Sequence, residues 1–329
     1  MSDRIDACKR KKAPAKPTVL REMGMIIGYS TNAYGKYPLL EAVADIAGIG
    51  FKGIEIVCKP PHFSPLEPAD GIDEALSSVL KRAGLAVTNI NGLTLFADSD
   101  HHLPAEIHSP EERRRIRVDH SLRSLRLAAR LGCPNLSLPS GEGVPDCGPA
   151  DLARRILEAL EPVLPLAEAL GVSVLIEPEP AFARHHGRHM AALLAEFASH
   201  RIGLNFDAGH FFCAGLDPAC AFEELFPWIR HVHLEDIAPD RSHRHLIPGR
   251  GAMDFLALFR SMARLGYQGN LCLELYTYQD TPSEAGREGL RHLLPLLASA
   301  GLTVTTADRM EVLNQVRSRP NGPEKPESA

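Results

Sequence analysis

The chain has 329 residues, 44% of them hydrophobic and 23% charged, with a net charge of −5; this suits one large globular domain or two ordinary ones. The first 24 residues carry seven Lys/Arg against three Asp/Glu, a net +4 that leaves −9 on the rest, so the body lacks the basic surface that nucleic acid requires. No run of 18 apolar residues is present, which excludes a spanning helix, and seven scattered cysteines without a Cys-x-x-Cys pair point to reduced thiols in the cytoplasm.

The basic start (Lys9-Arg-Lys-Lys12, then Pro14 and Pro17) has no apolar core after it, so it reads as a disordered tail over 1–24, not a secretory signal. From Met25 the pattern becomes regular. Strands are expected at Met25–Ser30, Phe51–Cys58, Leu85–Asn91, Asn135–Pro139, Val172–Glu177, Ile202–Asp207, Ile229–Glu235 and Asn270–Tyr276. Between and after them, helices are expected at 39–47, 72–83, 110–131, 150–170, 190–200, 218–226, 255–265 and 282–300. A loop with Asp98, Asp100, His101 and His102 precedes the third helix. Glycines recur at helix ends (Gly50, Gly84, Gly132, Gly171, Gly266), where a left-handed residue stops a helix before the chain re-enters a sheet. Eight such alternations predict an α/β fold, a single (β/α)8 TIM barrel over 25–302. The remainder, 303–329, is expected to hold a short helix near 309–316 and a Pro/Glu/Ser-rich disordered end.

Glu177, Asp207, His233 and Glu274 each close an apolar run, one on each of the last four strands. Side chains alternate across a strand, and these four share parity with other polar residues (Asn205, His231, Glu235), while Val174, Ile176, Leu204, Phe206, Val232 and Leu234 take the opposite face. In a barrel the strand ends converge on one face. Three carboxylates and an imidazole meeting there repel each other and lose solvation unless a cation holds them. Oxygen ligands with one imidazole suit Mn²⁺ first, with Mg²⁺, Co²⁺ or Zn²⁺ as alternatives. Glu55, of interior parity on the second strand, and His62 in the loop after it are candidate substrate contacts. Glu142 and Glu179 are further polar candidates near the same strand ends, and Pro248-Gly-Arg-Gly251 reads as a turn, not a phosphate cradle.

The ordered series Gly53-Ile-Glu55-Ile, Leu-Ile-Glu177-Pro, Asn205-Phe-Asp207-Ala-Gly-His210, His231-Val-His233-Leu-Glu-Asp236, Pro248-Gly-Arg-Gly251 and Leu-Glu274-Leu resembles the xylose-isomerase-like barrels. The resemblance is to their sugar phosphate isomerase/epimerase group, which includes hydroxypyruvate isomerase and the ketose 3-epimerases. It implies one divalent ion held by Glu177, Asp207, His233 and Glu274, and substrate contacts from His210 and from Arg244 or His245. A carbohydrate-like substrate is the expected partner, with no nucleic acid and no membrane. A homo-oligomer is compatible with the sequence, which carries no motif that decides it.

A divalent ion chelating a carbonyl and the neighbouring hydroxyl acidifies the intervening carbon–hydrogen bond and stabilises the enediolate. Glu177 and Glu274, on strands five and eight, are the expected base and acid. Return of the proton to the same carbon gives epimerisation; return to its neighbour gives isomerisation. The same chemistry with loss of a β-hydroxyl would make a dehydratase or lyase of a cyclic ketone, an inosose or dehydroshikimate. A relative of a third kind, an abasic-site endonuclease, needs added histidines at the ends of strands two and three. Strand three ends instead in Asn89-Ile-Asn91.

Overall fold

In a computed structural model, residues 24–68, 71–92, 111–140, 148–197 and 199–306 are described. The basic tail, the Asp98–His102 loop, Glu142 and the helix expected near 309–316 lie outside them.

The elements follow in the expected alternation: β1 (Met25–Ser30), α1 (Leu39–Ile49), β2 (Gly53–Val57), α2 (Ile72–Ala83), β3 (Ala86–Asn91), α3 (Glu111–Arg130), β4 (Asn135–Pro139), α4 (Pro149–Leu160), α5 (Leu164–Leu170), β5 (Ser173–Glu177), α6 (Pro180–His186), α7 (Met190–Ala195), β6 (Ile202–Asp207), α8 (Ala208–Cys213), α9 (Pro218–Leu225), β7 (Ile229–Leu234), α10 (Phe255–Leu265), β8 (Asn270–Leu273), α11 (Pro282–Ser299) and β9 (Val304–Thr305). Strands β1 to β8 pair in order, all parallel, and β8 returns to β1, closing the barrel.

Burial follows the parity read from sequence. Val174, Ile176, Leu204, Phe206, Val232 and Leu234 are all buried in the apolar core. Phe206 stacks on Phe211 of α8 with ring centroids 4.5 Å apart and meets Phe222 of α9 edge-on at 5.5 Å, so β6 is clamped to its own crossover helices. The opposite parity is polar and equally buried: Asn205, Asp207, His231, His233 and Glu235 are fully enclosed. Helices α1, α2, α5 and α10 end at Gly50, Gly84, Gly171 and Gly266, all at positive φ (113°, 63°, 72° and 68°), as the punctuation predicts.

Four departures have local causes. The helix expected over 150–170 is two helices, because Pro162 has no N–H to donate and crowds the carbonyl of the preceding turn. Helix α6, ahead of the helix expected at 190–200, begins at Pro180, where proline is tolerated in the first turn. Helix α8 begins directly on the end of β6, with Asp207 capping it by accepting from the His210 N–H at 2.8 Å. Finally, β8 stops at Leu273 and Tyr276–Tyr278 forms a 3-10 turn, so strand parity does not carry on to Tyr276. Beyond the expected barrel limit, β9 adds to β1 in parallel, Val304 beside Met25.

Candidate metal centre

The C-terminal ends of β5 to β8 bring the four expected ligands together. Donor atoms of Glu177, Asp207, His233 and Glu274, all buried, lie within 4.8 Å of one another. The centre is His233 Nδ1, which is 2.9 Å from Glu177 Oε1, 3.5 Å from Asp207 Oδ2 and 3.5 Å from Glu274 Oε2. Glu274 lies one residue past β8, yet its N–H still donates to Leu234 O at 3.1 Å, which holds it in line with the barrel rim.

The other face of the His233 ring meets Glu55. Nε2 donates to Glu55 Oε2 at 2.6 Å. Glu55 also accepts from Ser30 Oγ at 2.7 Å, Asn89 Nδ2 at 2.7 Å and Asn91 Nδ2 at 3.4 Å, and it is fully buried. Both oxygens of Glu55, the expected substrate contact, are engaged by protein donors in this structure. With Nε2 donating to Glu55, Nδ1 is the nitrogen that faces the three carboxylates; burial at His233 is outweighed by Glu55, Glu274 and Glu177, which raise it well above the usual imidazole range, and a metal would take this nitrogen in place of its proton.

The electrostatics show a charge deficit. Burial, opposed by His233 and joined by the Glu177, Asp207 and Glu55 charges, pushes Glu274 well above the usual carboxylate range. Burial and the neighbouring Asp207 do the same to Glu235. Asp207, whose burial is outweighed by His210 and His233, is held well below that range. Its Oδ2 is buried without a hydrogen-bond partner. A buried, orphaned carboxylate oxygen pointing into a ring of further carboxylates fits a divalent cation, so the residues present suit the expected ion.

Around this centre the loop after β7 is tied down by one side chain. Asp236 accepts from the N–H groups of Ile237, Gly249, Gly251 and Met253 at 2.8–3.1 Å. A Cβ on Gly251 would collide with that carboxylate, so the second glycine of Pro248-Gly-Arg-Gly251 is required by close approach. With both glycine amides engaged, the turn offers no phosphate cradle, in line with its reading from sequence.

This loop carries His243, Arg244 and His245 over the rim. His245 is buried, its Nδ1 donates to Glu274 O at 2.7 Å, and the Tyr276 ring sits 4.5 Å from it. Arg244 is exposed; between the two, the structure brings His245 to the centre. His210 is also there: its Nδ1 donates to Pro178 O at 3.0 Å, and its Nε2 lies 3.6 Å from Asp207 Oδ2. Burial lowers His243 to about 4 and His245 to about 3, while Asp207 and Glu179 outweigh burial at His210 and raise it. His62 is buried but donates to Tyr34 O at 2.9 Å, linking the loop after β2 to the turn after β1; it is not among the converging donors. Glu179, raised by burial to about 7, also stands outside those groups. Sequence reasoning gave Asp236 no role of its own at this end of the barrel, and His243, which is exposed, meets His210 and His245 here.

Comparison with known proteins agrees with the geometry. Fructoselysine 3-epimerase of Escherichia coli O157:H7 is 24% identical over 279 residues, covering 83% of this chain and 98% of that protein. Inosose dehydratase of Clostridium botulinum (strain Eklund 17B / Type B) is 31% identical over 87 residues, covering 22% and 29%. The crystal structure of an IolI protein with a bound zinc atom superposes with a TM-score of 0.69 at 14% identity, covering 84% of this chain and 99% of that one, a likeness of fold. A family profile described as xylose isomerase-like TIM barrel matches residues 43–296, and this chain belongs to that family.

Proposed function

We propose that the protein is a divalent-metal-dependent epimerase or isomerase of a sugar or related polyol ketone. The observation that carries this reading is the approach of Glu177 and Glu274 to the same atom, His233 Nδ1, at 2.9 and 3.5 Å. Two carboxylates that reach one point from strands at the two ends of the β5–β8 arc suit proton removal by one and return by the other. The full-length similarity to fructoselysine 3-epimerase supports the same reaction class.

Glu177, Asp207, His233 and Glu274 would hold the ion, Mn²⁺ by ligand type. When bound, it supplies Lewis-acid polarisation of a carbonyl and its neighbouring hydroxyl. The chain's own residues do the rest. Glu55 keeps the proton on His233 Nε2. One of Glu177 and Glu274 takes the proton from the carbon beside the carbonyl, and the other delivers a proton to the opposite face. His210 and His245, at the rim, hold substrate oxygens. The enclosed strand ends exclude water, which strengthens each of these interactions.

The five described cysteines are unpaired, which supports a reducing, cytoplasmic setting. Among the described residues no helix is long and apolar enough to cross a membrane.

The test is a panel of ketoses and inososes incubated in D₂O with Mn²⁺-loaded enzyme, followed by NMR and mass spectrometry. Epimerisation or isomerisation gives a product of unchanged composition, with deuterium at the carbon that reacted when the abstracted proton exchanges with solvent. A product lighter by one water would replace this reading with the dehydratase chemistry. No reaction across the panel, with metal bound, would overturn the substrate class.

A further inference from the structure

The turns after β1 and β2 are stitched together beside the centre. The Val57 N–H donates to Thr31 Oγ1 at 3.0 Å, and His62 Nε2 donates to Tyr34 O at 2.9 Å. Asn32 stands between the two stitched residues of the first turn, and Lys59 between those of the second. Two further bonds lead from these turns to the metal ligands. The Asn32 N–H donates to Ser30 Oγ at 3.3 Å, and Ser30 Oγ donates at 2.7 Å to Glu55, the carboxylate behind His233. Strand β1 lies between β2 and β8, so this arc adjoins the strand that delivers Glu274.

Two polar atoms of this cluster have no hydrogen-bond partner among the described residues: Asn32 Oδ1 and His62 Nδ1. Both residues are buried, at 6% and 7% exposure. His62 carries its proton on Nε2 for Tyr34, and burial disfavours a second, so Nδ1 keeps a lone pair. A buried acceptor without a donor costs free energy, and both atoms suit the hydroxyls of a bound polyol. Lys59 adds a positive charge. It is half-buried; burial draws its ammonium below the usual range, and the Glu274 charge opposes that shift. The two sides of the barrel mouth are thus unlike: carboxylates on the β5–β8 arc, an ammonium on the β1–β2 arc. A ligand with an oxyanion at one end is repelled by the first and drawn to the second.

We propose that Asn32, Lys59 and His62 form the subsite for the far end of the substrate, and that Lys59 selects a ketose with a terminal oxyanion, a carboxylate or a phosphate. Asn32 Oδ1 and His62 Nδ1 accept from hydroxyls between that end and the reacting carbon. This rests on the reading of the β5–β8 strand ends as the reactive centre. It narrows the substrate from any polyol ketone to a keto-sugar acid or keto-sugar phosphate, held with its anion away from the carboxylates.

The test compares each ketose of a panel with two derivatives, one with its terminal hydroxymethyl oxidised to a carboxylate and one with it phosphorylated. D-fructose, D-fructuronate and D-fructose 6-phosphate make one such set. Calorimetry on the full-length, Mn²⁺-loaded protein gives each Kd. Wild type is expected to bind an anionic member roughly tenfold tighter than its neutral parent, the scale of one charged hydrogen bond. Whichever member is preferred, acid or phosphate, identifies the oxyanion. Lys59→Met should bring the affinities to parity, Lys59→Arg should keep the preference, and added salt should weaken it. Asn32→Leu should weaken neutral and anionic members alike; unchanged affinity there removes Asn32 from the subsite. Parity in wild type across every set, no binding by any anionic member, or a preference that survives Lys59→Met overturns selection by Lys59. Turnover in D₂O is scored separately. Turnover of neutral ketoses without anion preference removes this inference and keeps the epimerase reading. Anion preference lost in Lys59→Met, without turnover of any panel member, keeps the subsite and removes the reaction class.

Discussion

His233 Nε2 lies 2.6 Å from Oε2 of Glu55, a residue 178 positions earlier in the chain. This contact joins the first half of the barrel to the ligands of the second. It orients the ring and leaves Nδ1 as the nitrogen that faces Glu177, Asp207 and Glu274. Glu55→Gln removes the charge and places an amide where an acceptor is needed. We expect metal affinity to fall roughly 10- to 100-fold, the range for losing a carboxylate behind a ligating histidine. Calorimetric titration of the metal-free protein with Mn²⁺ measures it; an unchanged Kd would show that Glu55 is structural only.

Glu177→Gln and Glu274→Gln should each lower turnover by roughly 10²- to 10⁴-fold, the usual contribution of a positioned acid or base. Because burial and the neighbouring carboxylates push Glu274 upward, neutralising it relieves repulsion in the metal-free protein. The Tm of metal-free Glu274→Gln is therefore expected to equal or exceed that of wild type, while its activity is lost. Parallel thermal melts and rate measurements test both halves; a lowered Tm would argue that Glu274 holds the fold.

Much of this centre could be read from sequence because period-2 alternation decides which face a strand residue takes. Glu177, Asp207 and His233 fall in phase on three strands, and no side-chain geometry is needed to see it. Glu274 keeps the same phase although β8 ends before it, since one extra ladder bond holds it in register. Parity also put Glu55 inside the barrel, but its partner depends on how far β2 and β7 approach across the lumen. Nothing local encodes that distance. The short helix α8 was hidden for another reason: its cap, Asp207, is also the end of a strand, and six residues are too few for a helical period to show. The meeting of His243 with His210 could not be read because a loop's path depends on Asp236, whose four acceptor contacts reach residues up to 17 positions away.

Asp236→Ala leaves the amides of Gly249, Gly251 and Met253 without their acceptor. We expect a loss of about 2 kcal/mol in urea unfolding, the order for losing a charged acceptor whose amide donors stay within reach of water. Amide exchange at Gly249 and Gly251 should accelerate. Unchanged exchange there would mean that the turn holds without the carboxylate.

His120 supplies a pH dependence away from the site. It is buried on α3, its Nε2 donates to Cys58 O at 3.2 Å, and burial lowers it from 6.5 to about 4. The unfolded chain therefore binds a proton between these values that the folded chain refuses. The stability at stake is fully present above pH 6.5 and is lost as pH falls toward 4, by about 2 kcal/mol between pH 7.5 and 5. Urea midpoints at those two pH values, for wild type and His120→Gln, measure it. The variant should be less sensitive to acid by that amount; equal slopes would remove His120 as the cause.

The four residues that would grip the ion occupy 177–274, whereas the strand holding Glu55 and the turns of Thr31–Tyr34 and Lys59–Phe63 come from the opposite arc of the ring. The residues that would grip the ion and the turns of the opposite arc are thereby encoded in separate stretches of the chain. Grafting the early turns of another family member onto this chain should change which molecule is accepted while leaving the ion count untouched, so new specificities are open to exchange of short segments without rebuilding the reactive centre.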